Sequence, residues 1–356
     1  MMELKITRVS DDAKRTKPKP EEKGFGKFYS DHMFMMDFRS NQGWIDPRIE
    51  PYRSLELDPA AMVFHYSQSA FEGLKAYPAK DGRILLFRPE LNMRRMSKTL
   101  SRICVPEFDE EFLLESIKKL VNLDKDWIPT GPGESLYIRP TVIATEPCLG
   151  VRPAQEYMFY VITSPVGAYY PQGFAPMKIK VEETYVRSAV GGLGSVKASA
   201  NYAASLLAQE DAHSQGWAQV LWLDAAERRF VEEVGTSNIF FVKNNAVITP
   251  ELTGSILPGI TRQSVLELCQ EWGIPTEERP IDFHEIIDGI EKGSITEAFA
   301  TGTAAIIAPK SVLSFKGVSH TLPGPQPGPL ATRLYEELLS IQYGEKPDTR
   351  GWIVEV

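Results

Sequence analysis

GGLGSVKASANY, residues 191–202, sets a single lysine, Lys197, after glycines at 191, 192 and 194 and ahead of an alanine-rich segment of helix-forming composition. Glycine has no Cβ, so such a loop lets the backbone approach a ligand closely, and a lysine partly removed from water is a good nucleophile toward an aldehyde. The pattern nominates Lys197 as the anchor of an aldehyde cofactor through a Schiff base. A glycine-rich loop carrying a lysine is also an ordinary surface feature, so the reading draws its weight from the rest of the chain.

At 356 residues the chain exceeds the usual size of one hydrophobic core, which predicts two domains and room for a buried site. Its 47 acidic residues outnumber 39 basic ones, and the resulting net charge of −8 disfavours nucleic acid as a partner. Cys104, Cys148 and Cys269 are widely spaced and form neither a CxxC pair nor a ligand cluster, so a reducing, cytoplasmic compartment and no metal are expected. No window approaches the ~20 apolar residues of a membrane span. Residues 1–24, with Lys14, Arg15, Lys17 and Lys19 interleaved with prolines and acids, read as a solvated tail.

Periodicity then divides the chain. MVFHYS (62–67), RILLFR (83–88), LYIRPTVIA (136–144) and YMFYVIT (157–163) predict strands. Met93, Met96, Leu100 and Ile103, and then Leu113, Ile117, Leu120 and Val121, recur at helical spacing and predict two core-facing helices. SPVGAYYPQGFAP (164–176), with Tyr169 and Tyr170, has the composition of a connection between domains. The expected limits are therefore 25–166 for a smaller domain, 167–175 for the linking loop and 176–356 for a larger domain. In the second half, a helix after Lys197 running to about His213 is predicted. A strand over WAQVLWLD, a hairpin turning at Asn244 and Asn245, a helix ended by Gly273, a strand-rich TEAFATGTAAIIAP and a terminal helix follow.

Further segments join the lysine: FGKFYSDHMF (25–34), HYSQSAFEGLKAY (65–77), LFRPELNMRRM (86–96), SLYIRP (135–140), EEVGTSNIFF (232–241), ILPGITRQS (256–264) and ATGTAA (300–305). In this order they resemble the branched-chain amino-acid aminotransferases, fold-type IV enzymes of the class IV aminotransferase family that use pyridoxal 5'-phosphate. The resemblance implies a mixed α+β, α/β architecture like that of the D-amino-acid aminotransferases: a smaller N-terminal α/β domain and a larger C-terminal pseudo-barrel domain. It also implies a homodimer, with branched-chain amino acids, glutamate and 2-oxo acids as small-molecule substrates and no membrane partner.

Residue by residue, the resemblance makes Lys197 the cofactor-bearing lysine and the catalytic acid/base. Glu232 and Glu233 are equal candidates from the residues alone, since strand alternation turns only one of them toward a given face. The resemblance selects Glu233 as the carboxylate beside the pyridine nitrogen. Arg95, Thr236, Leu257, Gly259 and the helix start at Ile260 and Thr261 would hold the phosphate, where main-chain N–H groups and the helix dipole favour an anion. Tyr202 would bond the cofactor's 3′ oxygen. Thr303 and Ala304 would take the α-carboxylate with help from Tyr66, while Phe25, Tyr66, Phe71 and Tyr137 would wall the side-chain pocket and Arg139 would stand near its mouth. Other fold-type IV activities, D-amino-acid transamination or aminodeoxychorismate lysis, share the core motifs but not the FEGLKAY and LNMRRM context. A non-catalytic carrier of the cofactor would need neither the carboxylate turn nor the aromatic walls.

Overall fold

A computed structural model of the chain describes residues 3–19, 22–167 and 174–356. It falls into two compact units. Unit 1 comprises Met1–Pro171, Lys197–Ala200 and Ser340–Val356, and unit 2 comprises Gln172–Val196 and Asn201–Leu339. The sequence reading puts every residue from 176 onward in one domain, whereas Lys197–Ala200 and the C-terminal segment from Ser340 group with the first unit. Tyr169 and Tyr170 lie outside the described residues.

Unit 1 begins with β1 (Lys5–Ile6), β2 (His32–Arg39), β3 (Gly43–Pro51), α1 (Met62–Tyr66), β4 (Ser69–Phe71), β5 (Leu74–Pro78) and β6 (Ile84–Phe87). It continues through α2 (Pro89–Arg102), α3 (Glu110–Leu123), β7 (Ser135–Ala144) and β8 (Glu156–Val166). The strands form one sheet in the order β1-β3-β2-β8-β7-β5-β6, with β4 also paired to β7. The two predicted helical stripes pack on it: Met93, Met96 and Leu100 of α2 and Leu113, Ile117, Leu120 and Val121 of α3 share a core with Phe34, Ile138, Val142 and Phe159. Each fully buried aliphatic side chain of this kind contributes about 1.5–3 kcal/mol.

One expectation is corrected here. Residues 62–66 form a helix rather than a strand, closed by Ser67 in the left-handed region at φ 50°; a five-residue apolar run is too short for periodicity to separate the two states. The N-terminal segment is exposed along most of its described length and is also tied to the sheet. Its β1 pairs with β3, Val9 N–H donates to His32 Nε2 at 2.9 Å, Arg15 N–H donates to Asp31 at 2.7 Å, and the Arg15 guanidinium lies 4.4 Å from the Tyr52 ring centroid.

Unit 2 holds β9 (Met177–Val181), α4 (Ala200–Ala203), α5 (Leu206–Ser214), β10 (Gln219–Leu223), β11 (Val231–Val234), β12 (Ser237–Lys243) and β13 (Ala246–Pro250). It then adds α6 (Ile260–Glu271), β14 (Thr276–Arg279), α7 (Phe283–Glu291), β15 (Ile295–Gly302), β16 (Ile306–Phe315) and β17 (Val318–Thr321). The path β11-β10-β9-β16-β15-β12 closes because β12 also pairs with β11, giving a six-stranded barrel with β13 and β14 as an extension. Closure removes the exposed edges an open sheet would present. The β12–β13 hairpin turns at Asn244 and Asn245, both with positive φ, as the sequence predicts. Finally α8 (Pro329–Gln342) leads to β18 (Ile353–Glu355), which adds to the β6 edge of the unit 1 sheet.

Candidate active site

Lys197 does not begin a helix. Residues 197–199 run extended along β4: Phe71 N–H donates to Lys197 O at 3.2 Å, Ser199 N–H donates to Ser69 O at 3.1 Å, and Ala70 and Ala198 form an antiparallel bridge. The helix expected to reach His213 in one piece is two short helices, α4 and α5. On the other side, Lys197 N–H donates to the Thr99 hydroxyl at 3.1 Å, and that hydroxyl in turn donates to Arg95 O. Main-chain bonds on both sides therefore fix where the Lys197 side chain starts. Its half-buried amine lies 4.9 Å from the Phe71 ring centroid.

Next to this strand, Glu72 is completely buried and takes Arg95 in a two-pronged ion pair, Nε to Oε1 at 2.7 Å and Nη2 to Oε2 at 2.9 Å, with Asn92 adding a bond at 2.8 Å. Burial alone would raise the Glu72 carboxyl, but Arg95, Lys197 and Asn92 hold it below the usual carboxylate range. Arg95 is thus an oriented, buried cation and not the solvated helix arginine that its spacing equally allows.

The aromatic residues named from sequence largely converge. Phe25 packs edge-on to Tyr137 at 4.9 Å, the Arg139 guanidinium lies 4.6 Å from the Phe71 ring centroid, and Arg139 Nη2 donates to the Tyr137 hydroxyl at 3.1 Å. Gly73 permits this arrangement, because a Cβ there would collide with the Tyr137 phenol. Arg139 Nε is buried and without a bond among the described residues, so a donor remains in the cluster. Tyr66 stands apart: it is 38% exposed on α1, and its hydroxyl donates to Leu149 O.

In unit 2, Glu233 on β11 is 1% exposed and bonded on both oxygens, Oε1 accepting from Leu257 N–H at 2.7 Å and Oε2 pairing with Arg187 Nε at 2.9 Å. Arg187 also donates to Ser255 O at 2.9 Å and to Gly194 O at 3.2 Å. One guanidinium therefore ties the acid to both loops beside it. Glu232 is buried too and accepts from the Ser255 hydroxyl, so the two neighbouring acids meet different residues of the same loop. Burial raises the Glu232 carboxyl against the pull of Ser255 and Arg187, and its Oε2 has no bond among the described residues. Of the two acids, Glu233 is the one in direct ion-pair contact with Arg187.

A cavity opens beside this network, lined by Arg187, Asn201, Tyr202, Ser205, Gly235, Thr236 and Leu257. Tyr202 is half-buried there, and Thr236 is exposed. Gly259 precedes α6 with no side-chain cap, and a Cβ on it would strike Asn238 Oδ1, while Asn238 Nδ2 donates to Leu257 O at 2.9 Å. An uncapped start of a twelve-residue helix leaves first-turn N–H groups for an external anion. Thr303 and Ala304 form the tip between β15 and β16, where Gly302 pairs with Ile306. A dry acid, hydroxyls along a cavity and an anion-receptive helix start fit pyridoxal phosphate in charge and donor type.

Sequence reasoning misses Arg187, Glu72 and Asn92. Glu72 and Asn92 lie within the FEGLKAY and LNMRRM segments quoted above, and the arginine stands four residues ahead of the glycine run. Among the described residues no cluster of His, Cys, Asp and Glu suited to a metal occurs, and no helix is long and apolar enough to cross a membrane.

The sequence model of the family described as amino-transferase class IV matches residues 69–311. Branched-chain-amino-acid aminotransferase 2 of Bacillus subtilis is 49% identical over 343 residues, covering 96% of this chain and 94% of that protein. The crystal structure of the Escherichia coli branched-chain amino acid aminotransferase superposes with a TM-score of 0.76 at 24% identity, covering 91% of this chain and 98% of its own. The T.th. branched-chain amino acid aminotransferase, solved with pyridoxamine 5'-phosphate, gives 0.74 at 25% identity over 91% of this chain and 97% of its own.

Proposed function

The chain belongs to the class IV aminotransferases, and from that premise we propose that it moves an amino group reversibly between L-leucine, L-isoleucine or L-valine and 2-oxoglutarate, giving branched-chain 2-oxo acids and L-glutamate. The observation that carries the reading is the buried Glu233, held by Arg187 and the Leu257 N–H, two residues that also line a cavity bearing hydroxyls. Bound pyridoxal phosphate supplies an aldehyde for the amine and a ring that accepts the electron pair released at the substrate Cα.

The residues divide the remaining work. Lys197 Nζ would anchor the cofactor between turnovers and, once released, would carry the proton from the substrate Cα to the cofactor carbon that had borne the aldehyde, with the reverse transfer for the second substrate. The Glu233 carboxylate would keep a proton on the pyridine nitrogen of the bound cofactor, because an adjacent buried anion favours the positively charged form of the ring. Tyr202 donates toward the 3′ oxygen. Arg95, Thr236, Leu257, Gly259, Ile260, Thr261 and Thr303 are the proposed partners of the phosphate and its surroundings, with Arg95 oriented by Glu72. Thr303 and Ala304 are proposed to orient the substrate carboxylate. Phe25, Phe71 and Tyr137 exclude water from a branched side chain, and the Arg139 Nε donor is available to the second carboxylate of glutamate.

A homodimer is part of the same proposal. Phe64, Leu149 and Val151 of unit 1 are 61%, 65% and 83% exposed beside Tyr66, an apolar patch that a second copy would cover. A cytoplasmic location is supported by three free cysteines. The test is direct. Purified protein given L-leucine and 2-oxoglutarate should form glutamate, borohydride should fix the cofactor to Lys197, and Lys197→Ala should abolish both. Glutamate formation that survives in Lys197→Ala would overturn the assignment.

A further inference from the structure

Phe25 is placed against Tyr137 by a loop with little stiffness of its own. It is 50% exposed, and its neighbours Gly24 and Gly26 both have positive φ, +51° and +67°. Glycine is the residue that loses most freedom when ordered, so a Gly-Phe-Gly tip resting on one ring face needs an anchor. The anchor is next to it. Lys23 Nζ donates to both carboxylate oxygens of Glu134 at 2.7 Å, and the two side chains are only 12% and 14% exposed. Glu134 is itself fixed: its Oε2 accepts from Gly131 N–H at 2.9 Å and its main-chain O accepts from the Tyr343 hydroxyl at 2.6 Å. It immediately precedes β7, the strand that carries Tyr137 three residues on. The far side of the tip is held by Tyr29, whose hydroxyl donates to Gly26 O at 3.0 Å and whose ring stacks on Tyr52 at 5.2 Å. Both rings, Phe25 and Tyr137, are therefore registered to the same end of β7, one through the ion pair and the other through the backbone.

We propose that Lys23 and Glu134 are positioning residues for substrate choice: their ion pair holds Phe25 as a wall of the side-chain pocket and so sets the preference for branched over small side chains. The inference rests on the reading of Phe25 and Tyr137 as pocket walls. It differs from a purely structural role because a loosened wall changes the apolar area buried on leucine and leaves alanine, which does not reach it, unaffected.

The experiment compares holoenzyme of Lys23→Met, Lys23→Arg, Phe25→Ala and the Lys23→Met/Phe25→Ala double variant. L-leucine and L-alanine serve as donors, and binding of 4-methylvaleric acid is measured by calorimetry. Lys23→Met should lower the leucine-to-alanine ratio of kcat/KM by roughly 3- to 10-fold, mainly through KM for leucine, and should weaken 4-methylvaleric acid by a similar factor. Lys23→Arg should restore both. In the double variant, Lys23→Met should add nothing to the effect of Phe25→Ala. If Phe25→Ala lowers the ratio but Lys23→Met does not, or if Lys23→Met slows both donors equally, the ion pair has no part in selection and the proposal is overturned. A ratio unchanged in Phe25→Ala removes the pocket reading itself, and the proposal with it.

Discussion

Arg187 gives its guanidinium to three segments at once: Glu233, Ser255 O and Gly194 O. Each partner is buried, so truncating the arginine strands a carboxylate and two carbonyls where water does not reach. Removing one partner of a buried ion pair costs about 3–5 kcal/mol, because the remaining charge stays desolvated. Arg187→Met is therefore expected to lose about that much in urea unfolding and to release pyridoxal phosphate faster on dialysis. Arg94→Met, at an exposed position of α2, should stay within about 0.5 kcal/mol. Equal stability of the two variants would remove Arg187 from the network. The distinction was not legible in the sequence. Nothing in RSAVGGLGSVK says which carbonyls an arginine meets after the chain has folded, and the residues alone left Glu232 and Glu233 equal until the resemblance chose between them.

Among the elements, the loop that ends at Lys197 shows how glycine acts by absence. A Cβ on Gly194 would fall against the main-chain oxygen of Ser255 and the Ser188 hydroxyl, and the former cannot swing aside. Gly191, by contrast, faces open space and needs its glycine only for φ +83°. Gly194→Ala should cost about 1–3 kcal/mol through overpacking, and should loosen the Ser255–Leu257 loop that bonds Glu233. Gly191→Ala should cost about 1–2 kcal/mol through backbone strain alone, with cofactor affinity kept. Thermal unfolding and cofactor titration of the two variants separate the mechanisms; similar loss of cofactor in both would contradict the collision. Glycine density and the lysine were readable from the sequence; the close approach expected of them was to a ligand, whereas the one at Gly194 is to Ser255 and Ser188. The extended run 197–199 was not, since its partners Ser69 and Phe71 lie far off along the chain and alanine favours helix unless a sheet edge competes.

Over the whole molecule, β6, β7, β8, β10, the β12–β13 hairpin and the stripes of α2 and α3 follow from periodicity and turn chemistry, whereas β2, β3 and β9 drew no prediction and closure of the barrel depends on β11 meeting β12 as well as β10, a tertiary fact. The same limit hides Lys310. In IIAPKSV it reads as the solvent-facing residue of a strand, as lysines nearly always are. In the barrel it is completely buried on β16, its amine donating to Gln219 Oε1 at 2.7 Å, and burial pushes it down to about 7. The unfolded chain keeps this amine protonated up to about 10.5, so between about 7 and 10.5 the unfolded state binds more protons than the folded one. Stability then rises with pH across that window, by at most about 1.4 kcal/mol per pH unit from this group. Lys310→Met removes the titration while keeping an unbranched apolar chain, although Gln219 Oε1 loses its donor. The stability of the native protein relative to this variant should therefore climb from pH 7 to pH 9 in urea unfolding, with all other titrating groups cancelling in the difference. A difference that stays level over those two pH units would mean that Lys310 folds with its proton on.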